Sequence, residues 1–327
     1  MSSAEVAMAH EPARNFSKNR IRNRFRMQFL IIIKRLIINP QLKPPPEIVN
    51  LIDSTFYGLI SGIAPERSSE GSGGVYLMRN GQGKYVSVFK PIDEEPNGLK
   101  KGTEVGGGAV REVAAYILDR GFAGVPPTAM VELNKKIGSL QMFAENNGSC
   151  EDLGPAGFPV GAVHRLAVLD MRLVNVDRHA GNILLRKDGD KIVELIPIDH
   201  GYCFPDSFED CTFEWLYWPQ SLEAFSEDVA EYVKKLDVEV DINELRANGW
   251  DIPPGCARVL RVATMLLKKG VERGMTPFAI GRLMCRQTVN EVSFVENILE
   301  EADCHDDVAF INAVSRSMDR RLDMISS

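Results

Sequence analysis

The chain has 327 residues, of which 44% are hydrophobic and 25% are charged, the ordinary balance of a soluble globular protein. This length suits one large two-lobed domain or two small ones. The six cysteines are scattered, without a Cys-x-x-Cys pair or clustered histidines. That pattern favours free thiols in a reducing compartment over zinc ligands or disulfides.

The net charge of −7 is unevenly divided, because residues 1–50 carry nine Lys or Arg against three Asp or Glu. The basic run at 14–26 suits anionic lipid headgroups or nucleic acid, and it equally suits a solvated arm. The apolar stretch at 29–38 is too short to span a bilayer, which needs about 20 residues. It also lacks the cleavage site of a signal peptide. Two uses compete for it: a helix on the membrane surface, and a helix packed on the back of the folded domain.

The domain organisation follows from these patterns. We predict a basic, flexible arm over residues 1–46, ending in a stiff polyproline run. The folded domain is expected over 47–325, in the α+β class. A strand-rich lobe is expected over about 52–143 and a helical lobe over about 149–325.

The first lobe begins with a strand, a turn at Asn80-Gly81 and a second strand at 85–89. A glycine-rich loop precedes the pair, and its glycines would let backbone amides approach phosphate oxygens closely. Such a loop is by itself more often an ordinary connection. It gains weight from Lys90, which ends the second strand and can reach phosphates from there. The residues assigned to this loop are Gly71, Ser72, Gly73, Gly74 and Val75.

Lys90 lies in an apolar strand, where an unpaired charge would be costly. Its expected partner is Glu112, on a helix indicated by apolar residues at helical spacing over 110–118. Glu94 and Glu95 are the alternative partners. Further strands are predicted near 129–131 and 137–143.

The end of the second of these strands, at Gln141, Met142 and Phe143, is where a linker between the lobes would offer backbone groups to adenine. An ordinary buried strand end accounts equally well for these side chains.

A helix at 163–173 leads into Asp177-Arg178-His179-Ala180-Gly181-Asn182. A hairpin follows, and then Asp199-His200-Gly201. An Asp and an Asn five residues apart, with an Asp after the hairpin, form the layout of a phosphoryl-transfer site. Asp177 would orient a nucleophilic hydroxyl, while Asn182 and Asp199 would hold Mg²⁺ on ATP phosphates.

Two residues inside this motif have alternative roles. His179 is a candidate catalytic residue that would move a proton or stabilise the γ-phosphoryl group, or else a hydrogen-bonded loop histidine. Arg178 would clamp phosphate or tie the loop to the body of the domain through a carboxylate. A structural role is favoured for both.

Aromatic residues follow Asp199 closely, at Phe213, Trp215, Tyr217 and Trp218. They would either meet a lipid interface or, as clustered aromatics more often do, form core. Beyond them, amphipathic helices are predicted at 223–236, 257–273, 277–289 and 309–325.

Several separated motifs resemble the phosphatidylinositol 3/4-kinase superfamily, and within it the type II phosphatidylinositol 4-kinases of the plant gamma group. They are the glycine-rich loop, the segments 88–96, 111–116, 177–182 and 198–201, and Trp218-Pro219-Gln220-Ser221. The resemblance covers about residues 52–325. The chain departs from animal type II enzymes in lacking a Cys-Cys-Pro-Cys-Cys cluster, which puts tight membrane anchoring in doubt.

The resemblance implies a kinase-like bilobal fold, ATP and Mg²⁺ as cofactors, and the 4-hydroxyl of phosphatidylinositol as acceptor. It implies phosphate contact by Lys90, catalysis by Asp177, and Mg²⁺ ligation by Asn182 and Asp199. A Ser/Thr protein kinase acting on a protein substrate and a non-catalytic scaffold are the alternatives. We expect a cytoplasmic protein with peripheral contact to anionic membrane, and no nucleic-acid partner.

Overall fold

The structure is a computed structural model that describes residues 43–69, 73–96, 107–208, 211–288, 290–302 and 306–326. Most of the predicted arm, and also Gly71 and Ser72, lie outside these residues. Among the helices described, none is both long enough and apolar enough to cross a membrane.

The N-terminal lobe is an antiparallel sheet with a helix against it. Its elements are α1 (Pro46–Ile60), β1 (Glu66–Arg67), β2 (Tyr76–Arg79), β3 (Tyr85–Pro91), α2 (Gly108–Asp119), β4 (Thr128–Leu133) and β5 (Lys136–Met142). The strand order is β1-β2-β3-β5-β4, which places β3 near the middle of the sheet. The strand-rich first lobe predicted from the sequence is confirmed.

The alternation of side chains along β3 decides which of them face α1 and which face the opposite side of the sheet. Ser87 and Phe89 are buried on the side of α1, and the Ser87 hydroxyl lies 2.6 Å from that of Thr55 in α1. Because successive side chains of a strand point to opposite faces, Lys90 faces away from α1. Gln141 of β5 shares that face, since it pairs with Val88 in the ladder.

The C-terminal lobe is helical apart from one hairpin. Its elements are α3 (Val160–Leu173), β6 (Ile183–Asp188), β7 (Lys191–Pro197), α4 (Glu227–Lys234), α5 (Val238–Ala247), α6 (Pro254–Glu272), α7 (Pro277–Met284), α8 (Phe294–Glu301) and α9 (Asp307–Ser326). Helix α3 is buried along almost its whole length, so it forms the axis of this lobe. The α+β class and the helical second lobe are confirmed.

Two predicted helices differ from the structure at their ends. The stretch at 223–236 forms a helix only from Glu227, because the chain before it makes a 3₁₀ turn at Pro219–Leu222 and an extended link. The stretch at 277–289 leaves the helix after Met284. The extended backbone at Cys285 lets Arg286 donate to Glu296 of α8 at 3.0 Å.

The aromatic segment after Asp199 divides between core and surface. Trp215 and Trp218 are buried, which confirms the core assignment for both. Tyr217 lies between them on a 3₁₀ turn and is 85% exposed.

Asp241 of α5 ties the two lobes together. This fully buried carboxylate accepts from Arg120, directly after α2, at 2.9 Å, and from Arg172 of α3 at 2.6 Å. Arg172 also donates to the carbonyl of Leu118 at 2.8 Å. The C-terminal end of α2 is therefore fastened to the helical lobe by charged hydrogen bonds.

We predict that Asp241→Ala lowers the free energy of unfolding by about 3–5 kcal/mol, because it leaves the buried Arg172 guanidinium without its carboxylate. Glu239→Ala is the matched control on the same helix, since its ion pair with Arg261 is exposed and is worth about 1 kcal/mol or less. Urea unfolding of both variants measures the difference. Equal losses of unfolding free energy in the two variants would show that the buried pair of Asp241 stabilises the fold no more than the exposed pair of Glu239 does.

Candidate active site

Lys90 is held between two carboxylates. Its Nζ donates to Glu112 Oε1 at 2.5 Å and to Asp199 Oδ1 at 3.0 Å. The predicted pairing with Glu112 is thereby confirmed. The alternative partners are engaged elsewhere: Glu94 accepts from Lys136 at 2.7 Å, and Glu95 accepts from the first backbone amides of α2.

The charges of this pair oppose the cost of burial. Burial favours neutral Lys90, but the Asp199 and Glu112 carboxylates outweigh it and raise the pKa of the ammonium. Burial likewise favours neutral Glu112, and the nearby Lys90 ammonium instead holds its pKa well below the usual range. Both groups therefore stay charged at neutral pH.

The second oxygen of Glu112 has further neighbours. Gln141 Nε2 lies 3.5 Å from Glu112 Oε2 and donates to Thr128 Oγ1 at 2.9 Å. His200 Nδ1 lies 3.9 Å from the same Glu112 oxygen, and the ring is fully buried. Neither ring nitrogen of His200 has a hydrogen-bond partner within the described part of the chain. Sequence reasoning assigned no function to His200.

Arg178 fixes the loop that carries the Asp and Asn of the motif. Its Nε donates to both oxygens of Asp170 in α3, at 2.9 and 3.0 Å. Its Nη1 donates to the backbone carbonyls of Asn182 at 2.6 Å and Ile198 at 2.8 Å. Arg178 thus has the predicted structural role, tying the loop and the residue before Asp199 to one buried carboxylate.

Local hydrogen bonds shape the loop further. The Asp177 backbone N–H donates to Asn175 Oδ1 at 3.0 Å, and Asn182 Nδ2 donates to the Asp177 carbonyl at 3.2 Å. Val174 enters the loop with φ of 49°, a left-handed conformation that is unusual for a β-branched residue. The loop therefore has a defined shape, with strain at its entrance.

Oxygen atoms suited to a hard cation lie on both segments held by Arg178. Asp199, with φ of 56°, follows β7 and presents a partly exposed carboxylate. The amide nitrogen of Asn182 donates to the Asp177 carbonyl, so the amide oxygen is the side-chain atom left to bind a cation through its lone pairs. Among the described residues, no group of three or more His, Cys, Asp or Glu side chains forms a metal cluster.

The described part of the glycine-rich loop lies against the segment after β3. The Gly74 N–H donates to the Glu94 carbonyl at 3.0 Å, and a Cβ at Gly74 would collide with the Glu94 side chain. Gly73 passes close to the same carbonyl. Packing on Glu94 thus gives Gly74 a local reason to be glycine. Phosphate contact by Gly73, Gly74 and Val75 stays a prediction.

The residues predicted to offer backbone groups to adenine, Gln141, Met142 and Phe143, do not share one environment. Gln141 belongs to the Lys90 face through Glu112. The N–H groups of Met142 and Phe143 are already bonded to the carbonyls of Pro127 at 2.8 Å and Val86 at 2.9 Å. Any adenine contact by these two residues would have to use other atoms, and it stays a prediction.

His179 and Tyr202 are two further polar side chains on the segments that carry Asp177 and Asp199. The half-exposed His179 ring has its Nδ1 3.7 Å from Glu151, and its catalytic role stays a prediction. Tyr202, which sequence reasoning missed, is half-buried three residues after Asp199. Burial raises the pKa of its hydroxyl, and the charges of Asp177 and Asp199 raise it further. Its position so soon after Asp199 was the only available signal.

The comparisons with known proteins agree with this geometry. The family model described as "Phosphatidylinositol 3- and 4-kinase" matches residues 73–280, which contain Lys90, Glu112 and the whole motif through Asp199. The chain belongs to the phosphatidylinositol 3- and 4-kinase family. That family and the element order support the kinase-like bilobal fold.

Two curated plant relatives are similar over most of the chain. Phosphatidylinositol 4-kinase gamma 3 of Arabidopsis thaliana is 52% identical, over 89% of this chain and 60% of that protein. Phosphatidylinositol 4-kinase gamma 4 of Oryza sativa subsp. japonica is 49% identical, over 90% of this chain and 59% of that protein. The chain thus spans about three fifths of the length of these relatives.

A solved structure is also similar to the chain. The proinflammatory kinase CtkA of Helicobacter pylori aligns with a TM-score of 0.39 at 12% identity, covering 66% of this chain and 93% of that one.

We predict that Lys90→Met lowers the free energy of unfolding by about 3 kcal/mol at pH 7, because Glu112 is left charged and buried. In the unchanged protein the lowered pKa of Glu112 contributes stability above about pH 4.3, and this is lost as the pH falls. In the variant, Glu112 takes up a proton more readily. The stability gap between the two proteins should therefore narrow from pH 7 toward pH 4.

The control is the double change Lys90→Met with Glu112→Gln, which has no carboxylate at position 112. The buried charge of Glu112 therefore makes no contribution to the free energy of unfolding of this variant. Urea midpoints at several pH values measure all three proteins. A Lys90→Met gap that stays constant across this range would contradict the charge-pair account.

Proposed function

We propose that the chain is an ATP-dependent phosphatidylinositol 4-kinase, which transfers the γ-phosphate of ATP to the 4-hydroxyl of phosphatidylinositol. The observation that carries the proposal is the joint placement of Lys90, Asp199 and Asn182. Lys90 contacts Asp199 directly, and Arg178 links Asn182 to the residue before Asp199. The relatives named phosphatidylinositol 4-kinase gamma support the choice of acceptor.

The positions of these side chains suggest how the reaction proceeds. Lys90, kept charged and held by Glu112, would contact the α- and β-phosphates of ATP. Asp177, on the loop fixed by Arg178, would orient the lipid hydroxyl and accept its proton. Most of the catalytic effect then comes from placing groups with fixed charges around the transferring phosphoryl group.

Mg²⁺ is part of this proposal. A carboxylate oxygen of Asp199 and the amide oxygen of Asn182 are the hard oxygen donors that Mg²⁺ prefers, and one or two protein ligands suffice when phosphates supply others. Arg178 donates to the backbone of both segments and so keeps the two ligands on neighbouring parts of the chain. This placement and the oxygen chemistry both suit the ion. When bound, Mg²⁺ would offset phosphate charge and help orient the γ-phosphoryl group.

A membrane-facing surface is the second part of the proposal. Tyr217 is 85% exposed and Leu222 is 60% exposed, on consecutive 3₁₀ turns shortly after Asp199. Exposed aromatic and aliphatic side chains suit the boundary between headgroups and acyl chains. We infer a cytoplasmic protein that touches anionic membrane through this surface and reaches its substrate there.

We predict that Asp177→Ala lowers the rate of phosphatidylinositol phosphorylation by about 10²–10⁴-fold, because the group that orients and deprotonates the acceptor is lost. Asp188→Ala, an exposed position in the β6–β7 hairpin, is the matched control and should keep the full rate. Labelled ATP is supplied with phosphatidylinositol vesicles and, separately, with a protein substrate.

The two acceptors distinguish the alternatives. Labelling of protein but not of lipid would replace the proposal with a Ser/Thr protein kinase on the same fold. Absence of any ATP binding would leave a non-catalytic scaffold.

We predict that Tyr217→Ser with Leu222→Ser weakens binding to phosphatidylserine-containing vesicles by about tenfold or more, because two apolar contacts with the lipid are lost. Val240→Ser removes an exposed apolar side chain on α5 and serves as the control. Vesicle co-sedimentation measures binding. Unchanged binding of the double variant would place the membrane contact elsewhere.

A further inference from the structure

A large groove lies beside the linker between the lobes. Its volume is about 970 Å³, at the upper end of the range of pockets that take drug-sized ligands. It is formed by the start of α1, the later turns of α2, the loop into β4, and the linker at 142–145, with α5 closing one side. Lys90, Glu112, Asp177, Asn182 and Asp199 are not among its lining residues. We call this cavity the linker groove.

Apolar side chains dominate one wall of the linker groove. Val113, Tyr116 and Ile117 of α2 line it at the i, i+3, i+4 spacing of one helix face, and each stays half-exposed. Met142 on the linker is 40% exposed beside them. The buried face of α2, at Ala114, Ala115 and Leu118, already packs in the core. Tyr116 and Ile117 pack only partly against that core, so their exposed portions, with Val113, leave apolar surface for a partner.

The described chain begins inside this groove. Lys43, Pro44 and Pro45 line it, directly before α1. Proline fixes φ and favours an extended, stiff backbone, and the described chain has its first residue, Lys43, at the groove itself. Ile38 precedes Lys43 by five residues, which keeps it within about 18 Å of this entrance even in a fully extended chain.

The composition of the preceding segment matches the groove. Residues 29–38 read Phe-Leu-Ile-Ile-Ile-Lys-Arg-Leu-Ile-Ile, an apolar stretch with two adjacent cations. Besides Lys43, the charged residues that line the groove are four glutamates and two arginines: Glu47, Glu145, Glu194, Glu244, Arg120 and Arg186. Three of these glutamates already have partners, because Glu145, Glu194 and Glu244 pair with Lys84, Arg186 and Arg120 in that order. The charge match with Lys34 and Arg35 therefore rests on Glu47, which accepts from the Tyr116 hydroxyl at 3.1 Å, while the half-exposed α2 residues complement the aliphatic side chains.

We propose that residues 29–42 of the chain itself occupy the linker groove, with their apolar side chains against Val113, Tyr116, Ile117 and Met142. The segment then covers apolar surface on α2 and on the linker at the same time. It would bridge the two elements that position Glu112 and join the lobes. This proposal is independent of the acceptor of the phosphoryl group, and its test requires neither ATP nor lipid substrate.

Photo-crosslinking of the full chain tests the contact directly. With Ile32→p-benzoylphenylalanine, we expect crosslinks within one molecule to peptides that contain residues 113–121 or 142–145. Phe16→p-benzoylphenylalanine, in the basic run outside the proposed segment, is the matched control and should give none. Crosslinks that join two chains and grow with protein concentration would assign the groove to a second copy and overturn the proposal.

Amide hydrogen exchange supplies an independent reading. Ile31→Asp with Ile33→Asp should speed exchange in residues 113–121 and 142–145 by about tenfold or more, because buried apolar contacts are lost. Val6→Asp with Met8→Asp places the same two charges elsewhere in the first 42 residues and should leave exchange unchanged. Exchange that does not respond to the Ile31/Ile33 change overturns the proposal. So does protection of these peptides that appears only with phosphatidylserine vesicles, since the segment would then bind membrane.

Discussion

The buried ion pair between Asp170 and Arg178 is the constraint on which the site depends. Burial raises the pKa of Asp170, and Arg178, together with the indole N–H of Trp215 at 3.0 Å, works against that rise. The Arg178 guanidinium meets this carboxylate and two backbone carbonyls at once. Removing either partner would leave a lone charge in the core and release the Asn182 and Asp199 segments together.

The other half of the site has its own support. Lys90 stands on the central strand of a five-stranded sheet, and Glu112 meets it from α2. Glu95 hydrogen-bonds the first two amides of α2, and the Asp119 carboxylate accepts three backbone N–H groups from the turn after it. Lys90 and the helix that carries Glu112 are thus held in place by surrounding residues, which is the kind of support that preorganised catalysis requires.

Local sequence patterns predict many of the secondary-structure elements that carry the site. Alternation, turn residues and helical spacing predict the strands at 76–79 and 85–91, helix α2 and the β6–β7 hairpin. The Lys90–Glu112 pair follows from the Lys–helix Glu pairing that is typical of kinase sites. Asp170 and Asp241 did not stand out, because their partners are defined only by the tertiary fold; Asp241 and Arg172 are 69 residues apart. The 3₁₀ geometry that exposes Tyr217 between two buried tryptophans is likewise invisible to periodicity.

The tie at Asp241 also restricts how the cleft can open. Helix α2 belongs to the sheet lobe, yet its last turn is fastened to α5 and α3 of the helical lobe. Besides the linker that joins the lobes, this tie restricts rotation of one lobe against the other, so we expect the rotation axis to pass near Leu118 and Arg120. Displacement grows with distance from that axis, so the first turn of α2 moves further than its last turn. The start of α2 at Gly108 would then swing through a wider arc than Glu112, which lies one turn nearer to the tie.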